Sequence, residues 1–234
     1  YYVYQPNFFQ ETKVEDIDEV DYTFESILAY RSKRLEGYQS KKLANKYEQL
    51  CKKAKDLNEN LGSSVARGYY KLIAYKDEYE VARLHTEYLE NQVKNSFSGY
   101  KQLRFNLAPP LFSKRDKNGH LIKKEFGPWM FTLMKLLAKG KYLRGTWLDP
   151  FHFTTERLTE RKLISQYERD IGYIIEHYNE SNHDAGINLA LLPLQIRGFG
   201  HVKEQAIDKA DNIRSNLMGI ISGDHSNQKL SAAE

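Results

Sequence analysis

Cysteine is all but missing from this 234-residue chain: Cys51 is the single one. One thiol cannot close an intrachain disulfide, and it cannot by itself supply the thiolates of a cysteine-ligated zinc site or an iron–sulfur cluster. A reducing, cytoplasmic setting is the expectation. Long apolar runs are missing too. No segment reaches the length that spans a bilayer, and the aromatic opening "YYVYQPNFF" has neither the basic start nor the apolar stretch of a signal peptide. No membrane partner is expected. The chain starts at Tyr1 without a methionine, which reads as a domain cut from a longer polypeptide. Nor does charge of one sign dominate. The 35 Lys and Arg exceed the 31 Asp and Glu by four, an excess too mild to imply nucleic acid.

What is present is a 41% hydrophobic content, enough for a substantial core in a chain of this length. Charge is uneven along it. Residues 11–25 carry seven acids against Lys13, whereas residues 31–55 carry nine Lys and Arg against Glu36 and Glu48. We divide the chain into an acidic lead, 1–20, a helical domain, 21–214, and a polar C-terminal tail, 215–234.

Apolar residues three and four apart predict most of the elements. Phe24, Ile27, Leu28, Leu35 and Tyr38 give one helix, and Leu43, Tyr47, Leu50, Ala54 and Leu57 a second. A third is expected to run from a cap at Ser63 or Ser64 through Leu72, Tyr75, Tyr79, Ala82, Thr86 and Leu89 to Val93. In "QLRFNL" the period drops to two, which is a strand, and "FSKRDKNGHLIKKEF" holds an Asn118–Gly119 turn between two extended arms. "GPWMFTLMKLLAKG" predicts a helix that starts near Pro128 and ends at Gly140, with Trp129, Met130, Leu133, Met134 and Leu137 on a broad buried face. After the loop "LRGTWLDPF", Thr154 is expected to cap a long helix bearing Ile164, Tyr167, Ile171, Ile174 and Tyr178, and two more helices follow near 183–192 and 200–221. The fold class is mainly α: amphipathic helices packed as an irregular bundle, with one small β-hairpin or strand element.

Candidate sites are few. "LPLQIRGFGHVKE" places Gly198 and Gly200 ahead of a helix, with Arg197, His201 and Lys203 around them. No strand precedes it and Lys203 stands where a dinucleotide fingerprint has its third glycine, so that motif is excluded. It is either an anion or docking site at a helix start or, the reading we favour, a turn that needs glycine for its angles. His177 and His183, near Glu176 and Asp184, lack metal-site spacing, so no metal site is expected. Cys51 would be reactive if exposed among Lys52, Lys53 and Lys55; an inert, partly buried thiol is the simpler expectation. In "YKDEYEVAR" the charges Lys76, Asp77, Glu78, Glu80 and Arg83 predict an exposed, ion-paired helix face, with Glu78 and Arg83 able to dock another domain. Lys114, Arg115, Lys117, Lys123 and Lys124 make the predicted hairpin basic, either a solvated charge run or a contact for a phosphate-bearing or acidic partner. A free-standing basic helical module that binds nucleic acid through residues 31–55 and this hairpin is the competing reading.

Taken in order, "LIAYKDEYEVARL", "NLAPP", "KKEFGPWM", "LRGTWLDPF", "TERKLI" and "LPLQIRGFGHVKE" resemble the C-terminal domain of the fused indolepyruvate ferredoxin oxidoreductases, members of the 2-oxoacid ferredoxin oxidoreductase superfamily. The resemblance covers roughly residues 20–210. It implies a parent enzyme, cytoplasmic and homo-oligomeric, that decarboxylates an aryl 2-oxoacid on thiamine diphosphate and Mg2+. The parent would form the acyl-CoA from coenzyme A and pass electrons through iron–sulfur clusters to ferredoxin. This chain has no glycine–aspartate–glycine start of a thiamine diphosphate motif, since Gly223–Asp224 lies too near the end. The resemblance therefore implies an accessory domain with no catalytic residue and no cofactor of its own, partnered by the catalytic domains of the same polypeptide and inactive when isolated. His152 stands where the resemblance implies glycine.

Overall fold

A computed structural model of the chain describes residues 23–87, 104–107, 122–198 and 200–223. Among these residues are eight α-helices and one pair of short antiparallel strands, so the mainly helical fold with a small β element is borne out.

Helices begin where a side chain takes up the N–H groups that the first turn cannot satisfy. α1, Phe24–Tyr38, follows Thr23, and α2, Lys41–Lys55, follows Ser40, whose Oγ accepts from the Leu43 N–H at 3.3 Å. Ahead of α3, Glu59–Ile73, Asn58 Oδ1 accepts from the Asn60 and Leu61 N–H groups. Ahead of α4, Glu78–Glu87, Asp77 Oδ1 accepts from the Glu80 N–H at 2.7 Å. The single helix expected from Ser63 or Ser64 to Val93 is thus two helices within the described residues. α3 starts at Glu59 with Ser64 buried inside it, and residues 74–77 are not helical. The break is four residues long, about one helical turn, so the apolar spacing resumes nearly in phase and hides it. Leu89 and Val93 lie outside the described residues.

β1, Phe105–Leu107, pairs with β2, Lys124–Phe126, in the register Phe105 to Phe126. The described partner of the 124–126 arm is therefore "FNL"; the other expected arm and the Asn118–Gly119 turn lie outside the described residues. α5, Trp129–Lys139, enters through Pro128 and ends at Gly140, where a 3₁₀ turn, Gly140–Leu143, continues the chain. α6, Thr155–His177, and α7, His183–Leu191, come next. α8, His201–Ser222, stops at Gly223, whose φ is +72°. It ends within a residue of the expected 221 and so reaches into the segment 215–234.

The described residues form two compact units. One holds 23–34, 44–71, 166–198 and 200–223. Its core is built on three tyrosines stacked in series: the Tyr47 and Tyr69 rings lie 5.9 Å apart and the Tyr69 and Tyr167 rings 5.8 Å apart. Buried phenols need partners. Tyr47 donates to the Ala66 carbonyl, Tyr69 to Glu168 and Tyr167 to the Ala190 carbonyl. Leu61, Ile171, Ile174 and Leu189 are also buried in this unit. A Cβ on Gly68 would stand 1.9 Å from the Ala190 oxygen, so only glycine lets α3 come this close to α7.

The second unit holds 35–43, 72–87, 104–107 and 122–165. Ala82, Phe105, Met130 and Met134 form its apolar core, with Leu107, Phe126, Phe131 and Leu137 packed against them. α4 and α5 lie against each other across this core.

Candidate functional site

The second unit also contains a cluster of buried charges. Asp77, at the head of α4, and Arg144, just after the 3₁₀ turn, are both buried, as is Arg157 in the first turn of α6. Arg144 grips the Asp77 carboxylate with a fork, Nε to Oδ2 at 2.5 Å and Nη2 to Oδ1 at 2.9 Å. Its remaining nitrogen, Nη1, donates to the Tyr38 carbonyl at 2.8 Å, and its guanidinium lies 3.7 Å from the centre of the Tyr38 ring. Arg157 donates Nη1 to Asp77 at 2.7 Å and Nη2 to Glu78.

Two cations face two anions here, and each hydrogen bond is charge-assisted, which is what lets ions stay out of water. Burial pushes the Asp77 carboxyl up, but the hydrogen bonds and charge of Arg144, the charge of Arg157 and the Glu80 N–H outweigh it and hold the group below the usual aspartate range. Asp77 is thus a fixed anion.

A second carboxylate organises the loop between α5 and α6. Asp149, buried, accepts from the Tyr79 hydroxyl at 2.8 Å and the Phe151 N–H at 3.0 Å on one oxygen, and from the Gly145 N–H at 3.2 Å on the other. Burial, and then Asp149, push the Tyr79 phenol well up, so it stays protonated as a donor. Phe151 packs edge-on against Tyr79, and Arg161 donates to the His152 carbonyl at 2.8 Å. The loop 144–153 is therefore tied to α4 and α6 at four points: Arg144, Asp149, Phe151 and His152. His152 Nδ1 is buried and has no hydrogen-bond partner among the described residues.

The exposed, ion-paired face expected for "YKDEYEVAR" is only partly present. Arg83 pairs with Glu80 and Glu87 along α4, but Asp77 and Tyr79 are buried and Glu78 is held by Arg157. Arg144, Asp149 and Arg157 were not singled out from sequence. Their partners lie about 70–80 residues away, beyond any periodic signal. One local signal was readable: Asp77 followed three residues later by Glu80 is the pattern of a helix start.

The other residues singled out in the sequence fall elsewhere. Gly198 and Gly200 have φ of +95° and +55°, values that favour glycine, and both precede α8. Arg197 is exposed and donates back to the Leu194 carbonyl at 3.1 Å; His201 is exposed, and Lys203 is half-buried. His177 hydrogen-bonds the Tyr173 carbonyl, and His183 lies 2.6 Å from the Tyr178 hydroxyl. Among the described residues no group of three His, Cys, Asp or Glu side chains could hold a metal ion. Cys51 is fully rather than partly buried, its thiol pushed up to about 12 by burial. Lys123 and Lys124 are exposed, and Lys114, Arg115 and Lys117 lie outside the described residues. No helix among the described residues is long and apolar enough to cross a membrane.

Residues 24–216 match a family described as "Family of unknown function (DUF6537)", and the chain belongs to that family. No curated protein and no solved structure matches the chain.

Proposed function

We propose that this member of the DUF6537 family is an accessory domain of a thiamine diphosphate-dependent 2-oxoacid ferredoxin oxidoreductase of the indolepyruvate type, a part that packs against the catalytic domains and performs no bond chemistry itself. The observation that carries the reading is where the shared segments converge. "LIAYKDEYEVARL" supplies Asp77, Glu78 and Tyr79, "LRGTWLDPF" supplies Arg144, Asp149 and Phe151, and Arg157 stands two residues ahead of "TERKLI". Two of the six segments that carry the resemblance supply the buried cluster, and Arg157 lies just ahead of a third.

That cluster is suited to architecture and unsuited to catalysis. Both oxygens of Asp77 and both of Asp149 are already occupied by donors, and the two arginines are matched by Asp77 and Glu78. A general acid or base needs a proton poised near working pH, whereas Asp77 is held low and Tyr79 high. The cofactors implied for the parent enzyme do not fit these residues either. An iron–sulfur cluster requires thiolates, and the single thiol is buried and fully protonated at neutral pH. Thiamine diphosphate, Mg2+, coenzyme A and the iron–sulfur clusters belong to other parts of the polypeptide in this reading, and ferredoxin meets those parts.

The test uses both the 234-residue chain and its parent polypeptide. Supplied with indole-3-pyruvate, coenzyme A, thiamine diphosphate and a ferredoxin substitute, the parent should reduce the acceptor and the chain alone should not. Turnover by the isolated chain would overturn the accessory role. A parent with no thiamine-dependent turnover on aryl 2-oxoacids would overturn the oxidoreductase assignment.

A further inference from the structure

α5 has more apolar surface than its core covers. At about 100° per residue, Met130, Met134, Leu137 and Ala138 lie on the side packed into the core, while Trp129, Leu133 and Leu136 form an adjoining stripe that is open to solvent. This corrects the expectation of one buried face: Leu136 is 67% exposed and Trp129 59%. The same unit presents more large apolar groups on the loop that follows. Trp147 is 81% exposed and Phe153 77%, with Leu148 also open.

Single exposed apolar residues are ordinary, but two tryptophans, a phenylalanine, a tyrosine and four leucines within 25 residues of one unit are not. The loop is also held still. Arg144, Asp149, Phe151 and the His152 carbonyl are tied down by the contacts described above, so Trp147 and Phe153 project from a backbone fixed by buried ions and hydrogen bonds. Aromatic side chains carried on a backbone that is already fixed suit interface centres, because the backbone loses little further freedom on contact. The exposed charges between Pro128 and Thr155 are of one sign, Lys135 and Lys139; Lys141 is half-buried and donates to the Gly37 carbonyl at 2.7 Å.

From these observations we infer that the α5 stripe and the 144–153 loop form a protein-docking surface whose occupant is an apolar, acid-rimmed patch on a catalytic domain of the same polypeptide. The identity of that occupant rests on the accessory-domain reading; its chemistry rests on the apolar stripe and the lysine rim. A lipid surface would also meet apolar rings and lysines, but it makes no demand for a backbone fixed by buried ions.

Hydroxyl-radical footprinting of the isolated chain and the intact parent polypeptide tests the inference directly. Trp129, Trp147 and Phe153 should be oxidised several-fold more slowly in the parent, and equal rates would overturn it. Trp147→Ser with Phe153→Ser should leave the melting temperature of the isolated chain unchanged and restore fast oxidation of Trp129 in the parent; continued protection of Trp129 would remove Trp147 and Phe153 from the surface. Lys135→Glu with Lys139→Glu should act in the same direction, and tighter protection would reverse the sign assigned to the partner. Binding of the isolated chain to phosphatidylserine vesicles, or its dimerisation, lost in either case with Trp147→Ser, would transfer the surface to lipid or to a second copy. A parent that protects these rings yet shows no thiamine-dependent turnover would leave the docking surface standing and remove only the oxidoreductase assignment.

Discussion

Asp77 is the residue on which the second unit turns, because it accepts from two arginines and caps α4 at once. Asp77→Asn keeps the shape but leaves Arg144 with no carboxylate partner among the described residues and Arg157 with Glu78, and one-sided loss of a buried ion partner costs about 3–5 kcal/mol. Chemical denaturation should show a loss of that size, against about 1 kcal/mol or less for Arg83→Ala, whose pairs lie along a single partly exposed helix. Equal losses would mean that burial of the cluster contributes nothing. The α7–α8 connection makes the opposite demand. A Cβ on Gly198 would come within 2.7 Å of Val202 Cγ1 at a φ of +95°, so Gly198→Ala should destabilise the chain by about 1 kcal/mol or more. Arg197→Ala with Lys203→Ala should change stability by less than about 0.5 kcal/mol. If the proposed oxidoreductase assignment holds, the turn reading predicts that this double variant also leaves the parent's use of coenzyme A unchanged. If it lowered coenzyme A use at an unchanged melting temperature, the anion-site reading would replace the turn.

At the scale of elements, sequence periodicity located α1, α2, α5, α6, α7 and α8 to within a few residues because each alternates core and solvent every three or four positions. It failed in two places for different reasons. The break before Asp77 spans about one turn, so it preserved the phase of the pattern, and only the capping chemistry of Asp77 marked it. On α5 the pattern correctly gave an apolar arc, but periodicity records which residues are apolar and not what covers them. Trp129 and Leu133 therefore read as core. The cluster joining α4, the loop and α6 was illegible, since nothing local pairs Asp77 with Arg144 or Arg157. Its presence has a pH consequence. The folded-state pKa of Asp77 is depressed, so the stability it contributes is present above the unfolded value, about 3.9, and is lost as pH falls through the lower folded value. His85 on α4, lowered by burial and then by Lys76, acts in the same direction from about 6.5 downward. The unfolding free energy should therefore fall modestly from neutral pH to about 5 and steeply below about 4. Asp77→Asn should flatten the steep limb, and an acid limb unchanged in that variant would place its origin elsewhere.

Across the whole molecule the question is whether the basic stretch 31–55 is a nucleic-acid surface or part of the fold. Nine Lys and Arg in 25 residues look like a phosphate-binding strip in sequence. In the structure much of that charge is already engaged. Arg31 donates to the Ala66 carbonyl and lies over Tyr70, Lys46 pairs with Glu168, Lys52 with Glu48 and Lys55 with Glu25. A lysine paired within the chain releases fewer counterions when it meets a phosphate, because its charge is partly neutralised beforehand. Two of these pairs join residues far apart in sequence, which is the signature of charges recruited for packing. The chain should therefore bind duplex DNA or RNA weakly at physiological ionic strength, with a shallow dependence on salt. Fluorescence anisotropy across a salt series measures both. Submicromolar affinity that falls steeply with salt, and that disappears when Lys41, Lys42, Lys52 and Lys53 are reversed to glutamate, would make nucleic acid the better account. Loss of affinity on reversing Lys135 and Lys139 instead would assign the binding to the α5 face.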